Sequence, residues 1–332
     1  MSHTNDRASQ RLDWARRITG QQAITLCPAS ADASFRSYWR IDGAAPGRLL
    51  MDSPPELEDP LPWLDIGRRL DDAGLHVPAV YEADLEQGLL LIEDLGDRLY
   101  LGELKTGNAD RLYGDAMQAL LRMQTAVDTT GLGPYDTAFL QREMDLLPEW
   151  YLGRHLGLDV AAWQEALQPV FQVLTDNAAE QPQGFVHRDF HSRNLLLSDA
   201  GNPAIIDFQG ALLGPLTYDL ASLLRDCYIR WPDHQVEGWV EAYRRQLVAC
   251  GRLQEAVAPA RFLRWFELTG LQRHLKVLGL FCRLAWRDGK HGYLADLPLV
   301  LDYVRHVAAR YPELQALCRL PAAVARAEAL DA

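Results

Sequence analysis

Apolar positions keep one rhythm through the first third of this chain and another after it. Residues 34–41 (SFRSYWRI) mix aromatic and polar side chains in rough alternation, the spacing of a β-strand. The GAAPG of 43–47 turns the chain, and a second strand starts at 48–51. Residues 53–62 make a proline-rich, acidic loop. Apolar side chains at 63, 64, 66 and 70 then recur at helical spacing until Gly74 ends the helix. VPAVYEAD and GLLLIEDLG add two strands around a Glu-Gln-Gly turn. Past Gly96, apolar residues at 112, 116, 117, 120, 121, 123 and 127 predict an amphipathic helix. Helical patterns return at 161–178, 217–229, 236–250, 259–284 and 297–309, interrupted by one strand-rich patch at 185–208. The layout expected is α+β and bilobal. A small β-rich N-lobe spans 1–96 and a larger, mainly helical C-lobe with an inserted hairpin spans 97–332, with a hinge near 93–97.

Composition removes alternatives. With 48% hydrophobic and 23% charged residues, the chain is an ordinary globular protein rather than a disordered, collagenous or disulfide-scaffold one. It has no run of about 18 apolar residues, and the opening MSHTNDRASQ has no apolar signal core. A soluble, cytoplasmic chain without a membrane partner is expected. Thirty-three basic against 45 acidic residues give a net charge of −12, which disfavours nucleic acid and leaves room only for a local basic pocket. Cys27, Cys227, Cys250, Cys282 and Cys318 form no CxxC pair and no zinc spacing, so reduced thiols are expected.

Candidate chemistry concentrates in HRDFHSRNLLLSDAGNPAIIDFQG, residues 187–210. Asp189 sits in a turn after the strand-like GFVH. Asn194 precedes the apolar run 195–197, Asp-Ala-Gly-Asn makes a hairpin turn, and Asp207 follows the second strand. Such a hairpin brings Asn194 and Asp207 together, with Asp189 expected beside them. Side-chain oxygens gathered in this way suit a hard divalent cation and a hydroxyl nucleophile. The H-R-D-x-x-x-x-N pattern followed by D-F matches the parts of a phosphoryl-transfer site. A surface hairpin with two caps and a turn aspartate is the bland alternative, and the combination argues against it.

On these residues the chain resembles the protein-kinase-like fold, in its aminoglycoside phosphotransferase branch. GPLTYDLA (214–221) follows Asp207 too closely for a protein-kinase activation loop, and no A-P-E appears. Within that branch, ADASFRSYWRI, LLMDSPPE, GLHVPAVYEADLEQGLLLIEDLG, HRDFHSRN and the block from TGLQRHLKVLGL to YLADLP resemble the bacterial cell-wall sugar anomeric kinases. The resemblance covers about residues 10–320. It implies transfer of phosphate from ATP, with Mg²⁺, to the anomeric hydroxyl of N-acetylmuramate and N-acetylglucosamine. The amino-sugar product would pass to a sugar-1-phosphate nucleotidyltransferase. It also implies a nucleotide-binding role for 1–96 and a catalytic and substrate-binding one for 97–332.

By the same resemblance Asp189 is the general base, and Asn194 and Asp207 hold Mg²⁺. The loop 30–37, with Ser34, Phe35 and Arg36, covers the phosphates without any glycine. Glu93 and Leu95 belong to the hinge that meets the adenine. His187 supports the loop, and Asp219 either braces the catalytic-loop backbone or stands as an ordinary acid at a helix start. His191 and Arg193 face either the substrate or solvent. Arg273, Lys276 and Arg283 stand out as cations in an acidic chain and suit the lactyl carboxylate of N-acetylmuramate, although each alone also reads as a solvated helix residue. Trp286 is expected in the core. No lysine stands on the third strand, where the kinase pattern places one, and Asp52 lies there without an evident partner. Two rivals stay open: an aminoglycoside or other small-metabolite kinase, and a nucleotide-binding module without catalysis.

Overall fold

The computed structural model describes residues 2–31, 35–43 and 47–322. In chain order it begins with α1 (Ser2–Thr19), β1 (Thr25–Ala31), β2 (Ser37–Asp42), β3 (Arg48–Asp52), α2 (Leu61–Asp72), β4 (Val80–Asp84) and β5 (Leu89–Glu93). Next come α3 (Tyr100–Thr106), α4 (Ala109–Ala126), α5 (Thr137–Met144), a wide helical stretch (Leu147–His155) and α6 (Ala161–Ala179). Four short strands follow: β6 (Gln183–Val186), β7 (Leu195–Leu196), β8 (Ala204–Ile205) and β9 (Leu212–Pro215). The chain then runs through α7 (Tyr218–Leu224), α8 (Asp233–Ala249), α9 (Pro259–Trp286) and α10 (Leu297–Arg310). It groups into two compact units, residues 1–119 with 193–210, and 120–192 with 211–332.

The first unit is built on an antiparallel sheet in the order β1-β2-β3-β5-β4. Leu50, Leu89 and Leu91 point to one face, where Trp14 and Ala15 of α1 cover them in a small core. Side chains alternate along a strand, so Leu49 and Ile92 turn to the other face and line a cavity. Asp52 shares the face of Leu50, and its partners are on α1: Arg7 Nη2 at 2.5 Å and Arg11 Nη1 at 2.8 Å. The β7–β8 hairpin belongs to this unit. Ile205 N donates to His76 O at 2.8 Å and Leu197 N to Arg98 O at 2.8 Å.

The second unit is organised on α9, whose 28 residues span roughly 42 Å at 1.5 Å per residue. Nearly every side chain from Phe262 to Cys282 is buried on it. Gly279 lets the backbone at Leu146 approach, since a Cβ there would stand 2.2 Å from the Leu146 carbonyl carbon. The wide turn Leu147–His155 packs Leu147, Tyr151 and Leu152 into the same core. Among the described residues no helix is long and apolar enough to cross a membrane.

Candidate active site

Each unit assembles one part of the chemistry. In the second, β6 leads into the loop that carries Asp189. Arg188 takes a left-handed conformation (φ +78°), which costs a non-glycine residue on the order of 1 kcal/mol and persists only where the surroundings impose it. Here the buried Asp219 imposes it by accepting the backbone N–H of His187 at 2.6 Å and of Arg188 at 3.0 Å. Asp219 is therefore a brace. Burial pushes its carboxyl up to about 7 against the pull of those two bonds. A second buried acid, Asp226, holds the end of the loop through Ser192 N at 3.0 Å and Ser192 Oγ at 2.5 Å. His187 is buried and its Nδ1 lies 3.3 Å from Asp189 N, a supporting position.

Asp189 itself is half-buried. Burial alone would raise its carboxyl, but the positive charges of Lys276, His191, Arg273 and Arg188 carry it down to about 2. It is thus an anion throughout the neutral range. Lys276 bonds Glu143 at 3.1 Å, and Arg188 bonds the same carboxylate at 2.6 Å, while the Tyr135 hydroxyl also engages it. Arg273 is 3% exposed, and its Nη1 has no hydrogen-bond partner among the described residues. Arg283 is half-buried, nearly three turns beyond Arg273 along α9. At 100° per residue, Arg273, Lys276 and Arg283 fall within about 80° of one another on that helix. Buried Arg273 and Lys276 are not solvated helix residues. His191 is nearly buried and meets the Tyr228 ring edge-on at 5.6 Å, whereas Arg193 is exposed. Trp286 corrects an expectation. It is 44% exposed and reaches the rings of His155 and His291 instead of the core, because it ends α9 where that helix runs out of packing partners.

In the first unit the hairpin does what its sequence predicts. Ile206 N donates to Asn194 O at 3.1 Å, and Asn194 Nδ2 comes within 3.3 Å of Asp207 Oδ2. Asp207 is left-handed (φ +64°), and Gln209 Nε2 donates to its Oδ1 at 2.8 Å. Both residues line a cavity of about 370 Å³ together with Tyr38, Leu49, Ile92, Glu93, Leu95 and Phe208. These apolar walls with a few polar groups at one end suit a flat ring carrying a charged tail. The Glu93 carboxylate faces His76 Nε2 at 3.4 Å and Ala79 N at 3.3 Å, so its side chain is spent on the fold. Arg40 pins the segment after β5 through Asp94 at 2.8 Å and Asp97 at 2.6 Å.

Arg36 is buried and bridges Glu58 at 3.0 Å and Asp207 at 3.5 Å. Phe35 is exposed, and its backbone N–H donates to Glu58 Oε2 at 3.1 Å. Ser34 lies outside the described residues. One amide and one carboxylate offer oxygen ligands only, and among the described residues no group of three or more His, Cys, Asp or Glu could hold a metal ion. That donor set fits magnesium, which takes few protein ligands and completes its shell with water and phosphate oxygens. Glu58, Glu143 and Asp226 are the acids that sequence reasoning missed; a buried acid inside an apolar run, as in LLRDCY, was the one available signal.

The phosphotransferase enzyme family matches residues 25–263. An N-acetylmuramate/N-acetylglucosamine kinase of Pseudomonas putida is 45% identical over 299 residues, covering 90% of this chain and 88% of that protein. A protein of the same name from Pseudomonas aeruginosa is 43% identical over 305 residues, again with 90% and 88% covered. Among solved structures, the ADP-bound aminoglycoside phosphotransferase APH(2'')-Ib aligns with a TM-score of 0.60 at 14% identity, over 88% of this chain and 97% of that one. That likeness is one of fold, protein-kinase-like with an N-terminal antiparallel sheet and a mainly helical remainder. With more than two thirds of its length matched, this chain belongs to the phosphotransferase enzyme family.

Proposed function

We propose that this protein is a cytoplasmic kinase that transfers the γ-phosphoryl group of ATP to the anomeric hydroxyl of N-acetylmuramate and N-acetylglucosamine. The observation that carries this reading is the 45% identity, over nine tenths of the chain, to a protein named for that pair of sugars. Asp189 accepts the proton of the attacking hydroxyl as the O–P bond forms and ADP departs. An anomeric hydroxyl is more acidic than an ordinary alcohol, so a carboxylate held low by neighbouring cations is a sufficient base, and orientation carries much of the rate. Asn194 and Asp207 would hold Mg²⁺, which when bound neutralises phosphate charge. Glu93 and Leu95 present backbone to the adenine, with Phe35 and Arg36 near the phosphates. His191, Arg193, Arg273, Lys276 and Arg283 face the sugar. The sugar 1-phosphate would be consumed by a nucleotidyltransferase. A polycationic aminoglycoside is the less favoured acceptor, because Arg273 and Lys276 put positive charge beside Asp189.

The test is ³¹P and ¹³C NMR of products after incubation with Mg·ATP and N-acetylmuramate, N-acetylglucosamine or kanamycin. Phosphate coupled to C1 of an N-acetyl sugar is the expected product. Asp189→Asn, run in parallel, should bind Mg·ATP almost normally and lose at least about a thousandfold in turnover. Phosphate on kanamycin alone, or full turnover by the variant, defeats the reading.

A further inference from the structure

The chain has three lysines, Lys105, Lys276 and Lys290, so none exists anywhere in the sheet. Phosphoryl transfer on this fold ordinarily uses a third-strand lysine, held by an acid, to bind the nucleotide phosphates. The residues nearest that place do not fill it. Met51 shares the cavity face with Leu49, and Asp52 faces α1, where Arg7 and Arg11 neutralise it. Arg48 lies over the Tyr81 ring at 4.8 Å. Arg40 is tied to Asp94 and Asp97 after β5.

We infer that Arg36 and Glu58 together replace the missing lysine and its acid: Arg36 binds the nucleotide phosphates and Glu58 positions it. Arg36 is 5% exposed, and a cation so buried needs a partner already in place. One terminal nitrogen lies 3.0 Å from Glu58 and the other 3.5 Å from Asp207, the carboxylate proposed to hold Mg²⁺. A phosphate coordinated to that ion therefore arrives within reach of the guanidinium, whose planar fork suits two phosphate oxygens.

Glu58 is held in turn by the sheet. Ser53 Oγ donates to Glu58 O at 2.8 Å, and Ser53 N donates to Gly88 O at 2.8 Å beside the start of β5. Gly88 (φ +63°) is required there, since a Cβ would stand 1.9 Å from the Ser53 carbonyl oxygen. The second oxygen of the Glu58 carboxylate takes Phe35 N, so the same acid fixes the arginine and the base of the loop before it. An acid in the loop ahead of α2 thus does the work that a helix acid does in the lysine pair.

The inference rests on the nucleotide reading of the cavity, and calorimetry with two probes separates the failures. Mg·ATP and adenosine are titrated into the wild type, Arg36→Gln, Arg36→Lys and Glu58→Gln. Arg36→Gln should weaken Mg·ATP about 10- to 100-fold and leave adenosine within about twofold. Arg36→Lys should recover part of the loss. Glu58→Gln should weaken Mg·ATP by about 3- to 10-fold, and adding it to Arg36→Gln should cost little more. Equal losses for both probes, or undiminished Mg·ATP binding in Arg36→Gln, overturn the inference while the nucleotide reading stands. A wild type that binds neither probe overturns both. If Arg36→Gln does not fold, the ATP-to-adenosine ratio of Glu58→Gln decides, and an unchanged ratio overturns the inference.

Discussion

Arg273 isolates one question of specificity. Around Asp189, Arg188 and Lys276 share the Glu143 carboxylate as an ion-pair partner, whereas Arg273 is buried with Nη1 lacking a hydrogen bond among the described residues. A buried guanidinium is most economically completed by a carboxylate. Only one of the two proposed sugars has one, the lactyl group of N-acetylmuramate. Arg273→Gln should therefore lower kcat/KM for N-acetylmuramate about tenfold or more relative to N-acetylglucosamine, since charge-assisted bonds contribute about 1.5–3 kcal/mol. Equal losses for both sugars would make Arg273 a support of the loop. The approach of Asn194 to Asp207 was legible because their spacing is local, fixed by a single hairpin. Glu143 and Asp226 were not. Their partners lie 45 and 34 residues away, and nothing in a window of sequence records such a distance.

At the scale of elements, periodicity worked where a helix follows 3.6 residues per turn with a broad apolar face. The patterns at 161–178, 259–284 and 297–309 match α6, α9 and α10 to within two residues. It failed at α1, whose buried face is little more than Trp14 and Ala15 flanked by Leu12 and Ile18, and which was assigned to a strand-rich region. It failed again at Leu147–His155, where a wider turn does not repeat at 3.6. The close approach of α9 to Leu146 gives an element-scale prediction. Gly279→Ala should destabilise the protein by about 1–3 kcal/mol, because the obstacle is backbone and not the end of a flexible side chain. Gly238→Ala on α8, with nothing within 4 Å, serves as the control and should be neutral or stabilising. Thermal melts of the two variants decide, and equal Tm values would remove the steric account.

For the whole molecule, the buried histidine on α9 ties stability to pH on the acid side. His274 stacks on Tyr303 with ring centroids 4.8 Å apart, and its Nε2–H donates to Arg225 O at 2.8 Å. Burial pushes its pKa down to about 3 from the ordinary 6.5. Between those values the unfolded chain binds a proton that the folded one refuses, so the contribution of this group to stability falls as pH drops from 6.5 towards 3, against the opposite contribution of the raised Asp219 carboxyl. The slope from this group approaches about 1.4 kcal/mol per pH unit. His274→Phe keeps the stack and loses the bond to Arg225. It should be less stable at pH 7 yet show a shallower decline between pH 6.5 and 4.5 in urea unfolding. An unchanged slope would place the acid sensitivity in other groups.

The path of the backbone also bears on how such proteins are recombined. Arg36 and Glu58 come from the early part of the first unit, whereas Asn194 and Asp207 return to it in the insertion 193–210. A chimera joined anywhere between residues 120 and 192 would draw the arginine proposed to meet phosphate from one parent and the pair proposed to hold Mg²⁺ from the other. Active hybrids should then be recovered chiefly when the small hairpin is inherited with the sheet, as two crossovers flanking 193–210 and not one.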